Sequence, residues 1–194
     1  MPESVSPTAL LVVDCQYDFV EGSLACQHSH EAVDSIIDYI NDHPDLEVFY
    51  SADWHSPTNH SFQEQGGSWP PHCVQNTQGA ELDKHFARDI VSERQRPNEK
   101  NIFYKGLDDL VEEYSAFEAR NASGQILHEQ LPHDLIVAGI ASEFCVRETI
   151  LALDKAGFNV RVLSPGLAYV NLDQHKENLA DLSRQSIAII GGEQ

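Results

Sequence analysis

Five side chains able to do chemistry stand just past short apolar runs in this sequence. Asp14 follows Thr8 to Val13, Asp53 and His55 follow Leu46 to Ser51, Lys105 follows Asn101 to Tyr104, and Cys145 comes soon after Leu135 to Gly139. Taken singly, each has an ordinary explanation: a strand-end Asp caps turns, a strand-end Lys is solvated, and a free Cys packs as a small hydrophobe. Together they make a nucleophile set. Cys145 lies in the first turn of a helix opened by Ser142, where unpaired N–H groups favour a thiolate. Asp14 is placed to take the thiol proton, and Lys105 to keep Asp14 ionised and to steady a developing anion. That is an Asp, Lys, Cys triad without histidine. Cys15, Cys26 and Cys73 read as structural thiols.

A second set has the chemistry of a metal centre. In Asp53-Trp54-His55 the first and third side chains share one face of an extended segment and can chelate one cation. His72 adds an imidazole from the loop that follows, and Glu64 in the same loop offers a further carboxylate. A mixed nitrogen and oxygen set suits a borderline divalent metal, zinc first, with iron and manganese as alternatives. With ten histidines in the chain, chance pairs are expected, and His28 and His30 read as surface.

These residues need a scaffold that brings strand ends together. Apolar runs of strand length alternate with helical periodicity: a helix near Ala32 to Asn41, others at Ser123 to Gln130, Glu143 to Ala156 and Gln174 to Arg184, and strands at Val160 to Ser164 and Ile187 to Ile190. The alternation predicts an α/β fold, an open doubly wound, mainly parallel sheet of about six strands with helices on both faces. Ligands in such sheets bind beyond the carboxyl ends of the strands. Residues 56 to 79, crowded with Gly and Pro, read as one long functional loop.

The 194 residues suit one domain over positions 1–194, and 41% hydrophobic with 22% charged residues excludes disordered and fibrous classes. A net charge of −19 disfavours nucleic acid and anionic membrane as partners. No apolar run approaches the roughly 20 residues of a membrane helix. Met1-Pro2-Glu3-Ser4 carries neither a basic leader nor an apolar signal core, so the cytoplasm is the expected location, and the four cysteines are expected reduced.

Several blocks carry a family resemblance: Val13-Asp14-Cys15-Gln16-Tyr17-Asp18-Phe19, Gly22-Ser23-Leu24, Asp53-Trp54-His55, Trp69-Pro70-Pro71-His72-Cys73-Val74, Tyr104-Lys105-Gly106, Tyr114-Ser115-Ala116-Phe117 and Gly139 to Val146. The chain resembles the isochorismatase-like cysteine hydrolases and, within them, the nicotinamidases. The resemblance implies a catalytic triad of Asp14, Lys105 and Cys145, and a metal held by Asp53, His55, His72 and often the Glu64 position. It implies a cis peptide before Ala141, whose N–H joins that of Cys145 as an oxyanion hole, and aromatic substrate walls at Phe19, Trp69 and Tyr114. Ser142-Glu143-Phe144 stands where many relatives have Thr-Asp-Tyr, a change that bears on pocket shape more than on reaction.

The expected activity is hydrolysis of the small molecule nicotinamide, and of pyrazinamide, through a cysteine thioester, with the metal orienting the pyridine ring and the chain self-associating as a homo-oligomer. Two alternatives stand beside it. One is another hydrolase of the superfamily acting on a carbamoyl or ureido compound or on isochorismate; the other is a non-enzymatic metal-binding protein on the same scaffold.

Overall fold

The computed structural model describes residues 8–192. Six strands form one sheet: β1 (Thr8–Val13), β2 (Glu47–Asp53), β3 (Ile102–Lys105), β4 (Asp134–Gly139), β5 (Asn159–Leu167) and β6 (Ala188–Ile190), in the order β3-β2-β1-β4-β5-β6. Every neighbouring pair is parallel. After β1 the chain builds outward through β2 and β3, then crosses back to add β4 on the other side of β1. The strand order therefore reverses between β1 and β4, and a crevice opens at their carboxyl ends.

Strand β1 shows why the sheet has two cores. Its residues alternate in direction, so Leu10 and Val12 pack with Ala32, Val33, Ile36, Ile37 and Ile40 of helix α2 (Ser29–Asp42) on one face. Ala9, Leu11 and Val13 pack on the other face with Ile150 and Leu153 of α5 (Arg147–Lys155) and Leu182 of α6 (Leu172–Arg184). Burial on both sides is why these strands read as continuous apolar runs rather than as alternating ones.

The long loop after β2 contains two short 3₁₀ turns, Gln63–Gln65 and Gln78–Ala80, and leads into α3 (Lys84–Asp89), whose cap is the Asp83 side chain accepting from His85 N–H. Two short helices escape the sequence pattern, α3 and α1 (Tyr17–Val20), because neither is long enough to show a period. The expected helix over Ser123 to Gln130 is reduced to α4 (Leu127–Gln130). Asn121 is the reason: its Oδ1 accepts from the N–H groups of Ser123 and Gln125, closing a turn through Gly124 at φ 79°. The helix expected from Glu143 instead begins with a wide π-helical turn, Ser142–Val146, that runs into α5.

Among the described residues no helix is long and apolar enough to cross a membrane. All four cysteines are free thiols.

Candidate active site

At the carboxyl edge of the sheet the chain turns sharply, and the turns aim the polar residues. Asp14 leaves β1 with left-handed backbone, φ 50°, a conformation Asp tolerates better than most residues. Its Oδ1 accepts a 2.6 Å hydrogen bond from Ser51 Oγ, a neighbour on β2. Gly139 ends β4 at φ 129°, and a Cβ there would lie 2.1 Å from the Val13 carbonyl, so only glycine lets β4 pass this close to β1.

Lys105, at the end of β3, has a fully buried side chain. Its Nζ lies 2.9 Å from Asp14 Oδ2, 2.5 Å from Asp53 Oδ1 and 3.4 Å from Cys145 Sγ, and it also donates to the Glu113 carbonyl at 3.2 Å. Burial alone would lower the pKa of this ammonium, but the carboxylates of Asp14 and Asp53 hold it well above its ordinary value. Lys105 is therefore a fixed positive charge.

Burial pushes the Asp14 carboxyl up, and Lys105 opposes this only in part, so Asp14 is a stronger proton acceptor than a surface carboxylate. Its Oδ2 is fully buried and faces Lys105 Nζ at 2.9 Å. Asp53 goes the other way: Lys105 overcomes the burial cost and keeps its carboxyl well below the usual range. The Cys145 thiol is raised well above its ordinary value, by burial first, with Lys105 pulling it down and Asp14 adding to the rise. Burial therefore outweighs the pull of Lys105, and the thiol has Asp14 beside it as an acceptor for its proton.

Asp53, His55 and His72 each offer a ligand atom, all within 4.8 Å of one another and all buried. The imidazoles cross at 83° with centroids 5.1 Å apart. Each turns its Nδ1 toward a backbone carbonyl, His55 to Gly106 at 2.9 Å and His72 to Pro70 at 2.8 Å. With the Nδ1 proton so directed, Nε2 of each ring is left as the lone-pair donor, the arrangement metal-ligating histidines use. His55 Nε2 sits 3.5 Å from Asp53 Oδ2. Gly106, at φ 71°, makes room: a Cβ there would meet His55 Cε1 at 2.4 Å. The donor set fits a divalent metal.

Glu64 does not join this group. It is exposed on the Gln63–Gln65 turn, whose inward-facing position is taken by the preceding Phe62, packed edge-on against His55 and His72. The other acidic residue of the nucleophile set, Asp14, forms its own cluster with Asp53 and Cys145.

One pocket serves both sets. Asp53, His55, His72, Ala141 and Cys145 line it together with Phe19, Trp69 and Tyr114. Phe19 belongs to the hydrophobic core as well, with its ring 5.4 Å from His72. The Ile140–Ala141 peptide is cis. His28 and His30 are exposed on the surface, as their sequence context suggests.

Phe144, whose stretch already pointed to the pocket, packs edge-on against Trp69 at 5.1 Å. Several other cavity residues have no signal in the sequence: Glu112 and Glu113 close one side, and Cys26 and Val170 reach the wall. Asn59 and Ser61 line it too, with Asn59 Nδ2 and Ser61 Oγ buried and unpaired.

Comparison with known proteins agrees with this architecture. The isochorismatase domain matches residues 8–194. The nicotinamidase of Escherichia coli is 33% identical over 191 residues, spanning 86% of this chain and 85% of its own, and the nicotinamidase/pyrazinamidase of Mycobacterium tuberculosis is 30% identical, spanning 94% and 97%. Among solved structures, the pyrazinamidase of Pyrococcus horikoshii in complex with zinc superposes with a TM-score of 0.79 at 30% identity, covering 95% of this chain and 99% of its own. PnC1 from L. infantum in complex with nicotinate gives 0.80 at 28% identity, covering 95% and 92%. A domain match over nearly the whole chain, on a sheet whose switch point gathers these side chains, means that the chain belongs to the isochorismatase family.

Proposed function

We propose that this chain hydrolyses nicotinamide to nicotinate and ammonia, with pyrazinamide as a second substrate, and that Asp14, Lys105 and Cys145 do the covalent chemistry. The observation that carries this reading is the single Lys105 ammonium in contact with Asp14, Asp53 and Cys145, the last two of which line the cavity. The E. coli and M. tuberculosis relatives, named for this activity, support it.

In this mechanism Asp14 takes the Cys145 thiol proton as Sγ bonds to the carboxamide carbon. The raised Asp14 carboxyl suits the transfer, since a base close in pKa to its task accepts and returns a proton readily. The backbone N–H groups of Ala141 and Cys145 receive the oxyanion, and Lys105 balances the added negative charge. Asp14 then protonates the amide nitrogen, the C–N bond breaks, and ammonia leaves a thioester on Cys145. Water, deprotonated by Asp14, attacks the thioester; nicotinate departs and the sulfur recovers its proton. Phe19, Trp69 and Tyr114 hold the ring flat against this sequence.

Asp53, His55 and His72 would hold a divalent metal, with zinc the first candidate, as in the P. horikoshii complex. When bound, the metal supplies a Lewis-acid anchor for the ring nitrogen. The same proposal treats residues 1–194 as one domain that self-associates and works in the cytoplasm, readable by sedimentation and by cell fractionation.

The direct test is ammonia release from nicotinamide by the purified protein. Turnover that disappears when iodoacetamide modifies Cys145 supports the proposal. Absence of ammonia release from nicotinamide by metal-loaded protein would overturn it.

A further inference from the structure

Trp69 Nε1 donates at 3.0 Å to Glu112 Oε1 and at 3.2 Å to Tyr114 OH. The Tyr114 hydroxyl in turn donates to the same Glu112 oxygen in a short hydrogen bond. The three groups close a triangle in which the Trp69 indole N–H and the Tyr114 phenol O–H converge on one carboxylate oxygen. Both rings rest on Phe144, Trp69 at 5.1 Å and edge-on, Tyr114 at 5.8 Å and tilted. Phe144 directly precedes Cys145.

The corners come from two parts of the chain, with Glu112 and Tyr114 two residues apart and Trp69 more than forty positions away. The Trp69 backbone is tied to the loop after β2, donating to the Ser61 carbonyl at 3.0 Å and accepting from Gln63 N–H at 2.7 Å. Glu112 precedes Glu113, whose carbonyl accepts from Lys105 Nζ and whose Oε2 accepts from Gly106 N–H at 2.8 Å. The side-chain triangle thus joins the loop that carries His72 to the segment that touches Lys105. An indole and a phenol on a cavity rim lose rotational freedom when they grip a flat ring. A carboxylate that has already fixed both removes that cost.

We propose that Glu112 is the positioning residue that sets the aromatic walls of the cavity: it holds Trp69 and Tyr114 in the orientation that receives a planar azine carboxamide. This rests on the amidase reading above for the identity of the ligand, but the triangle itself does not. Both contacts are donated to a single oxygen, so an amide oxygen at the same place can accept them. It is exposed, so its replacement leaves the core untouched.

The test compares Glu112→Ala with Glu112→Gln, which keeps the acceptor oxygen and removes the charge. Two hydrogen bonds and the ordering of two rings are at stake. Glu112→Ala is expected to raise KM for nicotinamide by roughly three- to tenfold, with kcat within about twofold of the parent, the pattern of lost uniform binding. Glu112→Gln is expected to restore KM. A second readout needs no turnover: in a Trp54→Phe background Trp69 is the only tryptophan, and its steady-state anisotropy should fall in Glu112→Ala and recover in Glu112→Gln.

Unchanged KM and anisotropy in Glu112→Ala would overturn the proposal, as would a Glu112→Gln variant that behaves like Glu112→Ala. If wild-type protein releases no ammonia from nicotinamide, the amidase reading fails, and the anisotropy pair still decides whether Glu112 orients Trp69.

Discussion

Lys105 Nζ lies 2.5 Å from Oδ1 of Asp53, a carboxylate whose other oxygen faces His55 Nε2 at 3.5 Å. One lysine therefore links the nucleophile set to the metal set. With the Lys105 charge beside it, Asp53 stays ionised in a dry site, where a carboxylate alone would take up a proton. The same ammonium is shared with Asp14, whose carboxylate it pairs at 2.9 Å.

Replacing Lys105 by methionine should accordingly do two things at once. It leaves Asp14 buried without its cation, at an expected cost of about 3–5 kcal/mol in unfolding free energy. It also removes the cation beside Cys145, with an expected loss of at least about 100-fold in kcat. Urea denaturation and ammonia release measure the two effects. A stable variant with near wild-type kcat would show that Lys105 acts on neither.

Much of this arrangement was legible because polar residues abruptly end apolar runs. Val13 to Asp14, Ala52 to Asp53 and Tyr104 to Lys105 each mark a strand leaving the core, and parallel topology brings all such ends to one edge. The contacts that tune the site were not legible. Ser51 finds Asp14 37 positions away and Trp69 finds Glu112 43 positions away, and neither pair shares an element or a period. Glu64 shows the opposite failure: its residue type suits a ligand, but burial of Phe62 in the same turn leaves it facing solvent.

Ser51→Ala tests one of the hidden contacts. The hydroxyl gives Asp14 Oδ1 a buried 2.6 Å hydrogen bond, and bonds to charged groups of this kind contribute about 1.5–3 kcal/mol. Its loss should destabilise the fold by that order and push the Asp14 carboxyl further up, so that less of it is ionised to accept the thiol proton. A drop in kcat together with a lower urea midpoint is expected. Wild-type values for both would remove Ser51 from the site.

Cys145→Ala should abolish turnover while leaving bound metal unchanged, because Asp53, His55 and His72 and not the thiol offer the chelating set. Cys145→Ser should fail as well. A serine hydroxyl is far harder to ionise than a thiol, and Asp14, though raised, is too weak a base for it. Metal content by elemental analysis and ammonia release are the paired measurements; residual turnover above a trace in the alanine variant would exclude a covalent intermediate on Cys145.

Removing the metal should separate substrates by their ring nitrogen. Nicotinamide has a pyridine nitrogen to offer a cation and benzamide does not, so a contact open to one amide must appear as a difference between them. Treatment with a strong chelator is expected to raise KM for nicotinamide more than for benzamide. His72→Ala should reproduce that phenotype, since its Nε2 is one of the three buried donors. Glu64→Ala, His28→Ala and His30→Ala should not, because all three side chains are exposed and outside the donor group. Equal losses for both amides would mean that the metal only braces the loop carrying His72. A metal-free protein after purification without chelator would remove Asp53, His55 and His72 from the ligand assignment, while the contacts of Lys105 with Asp14 and Cys145 would still stand.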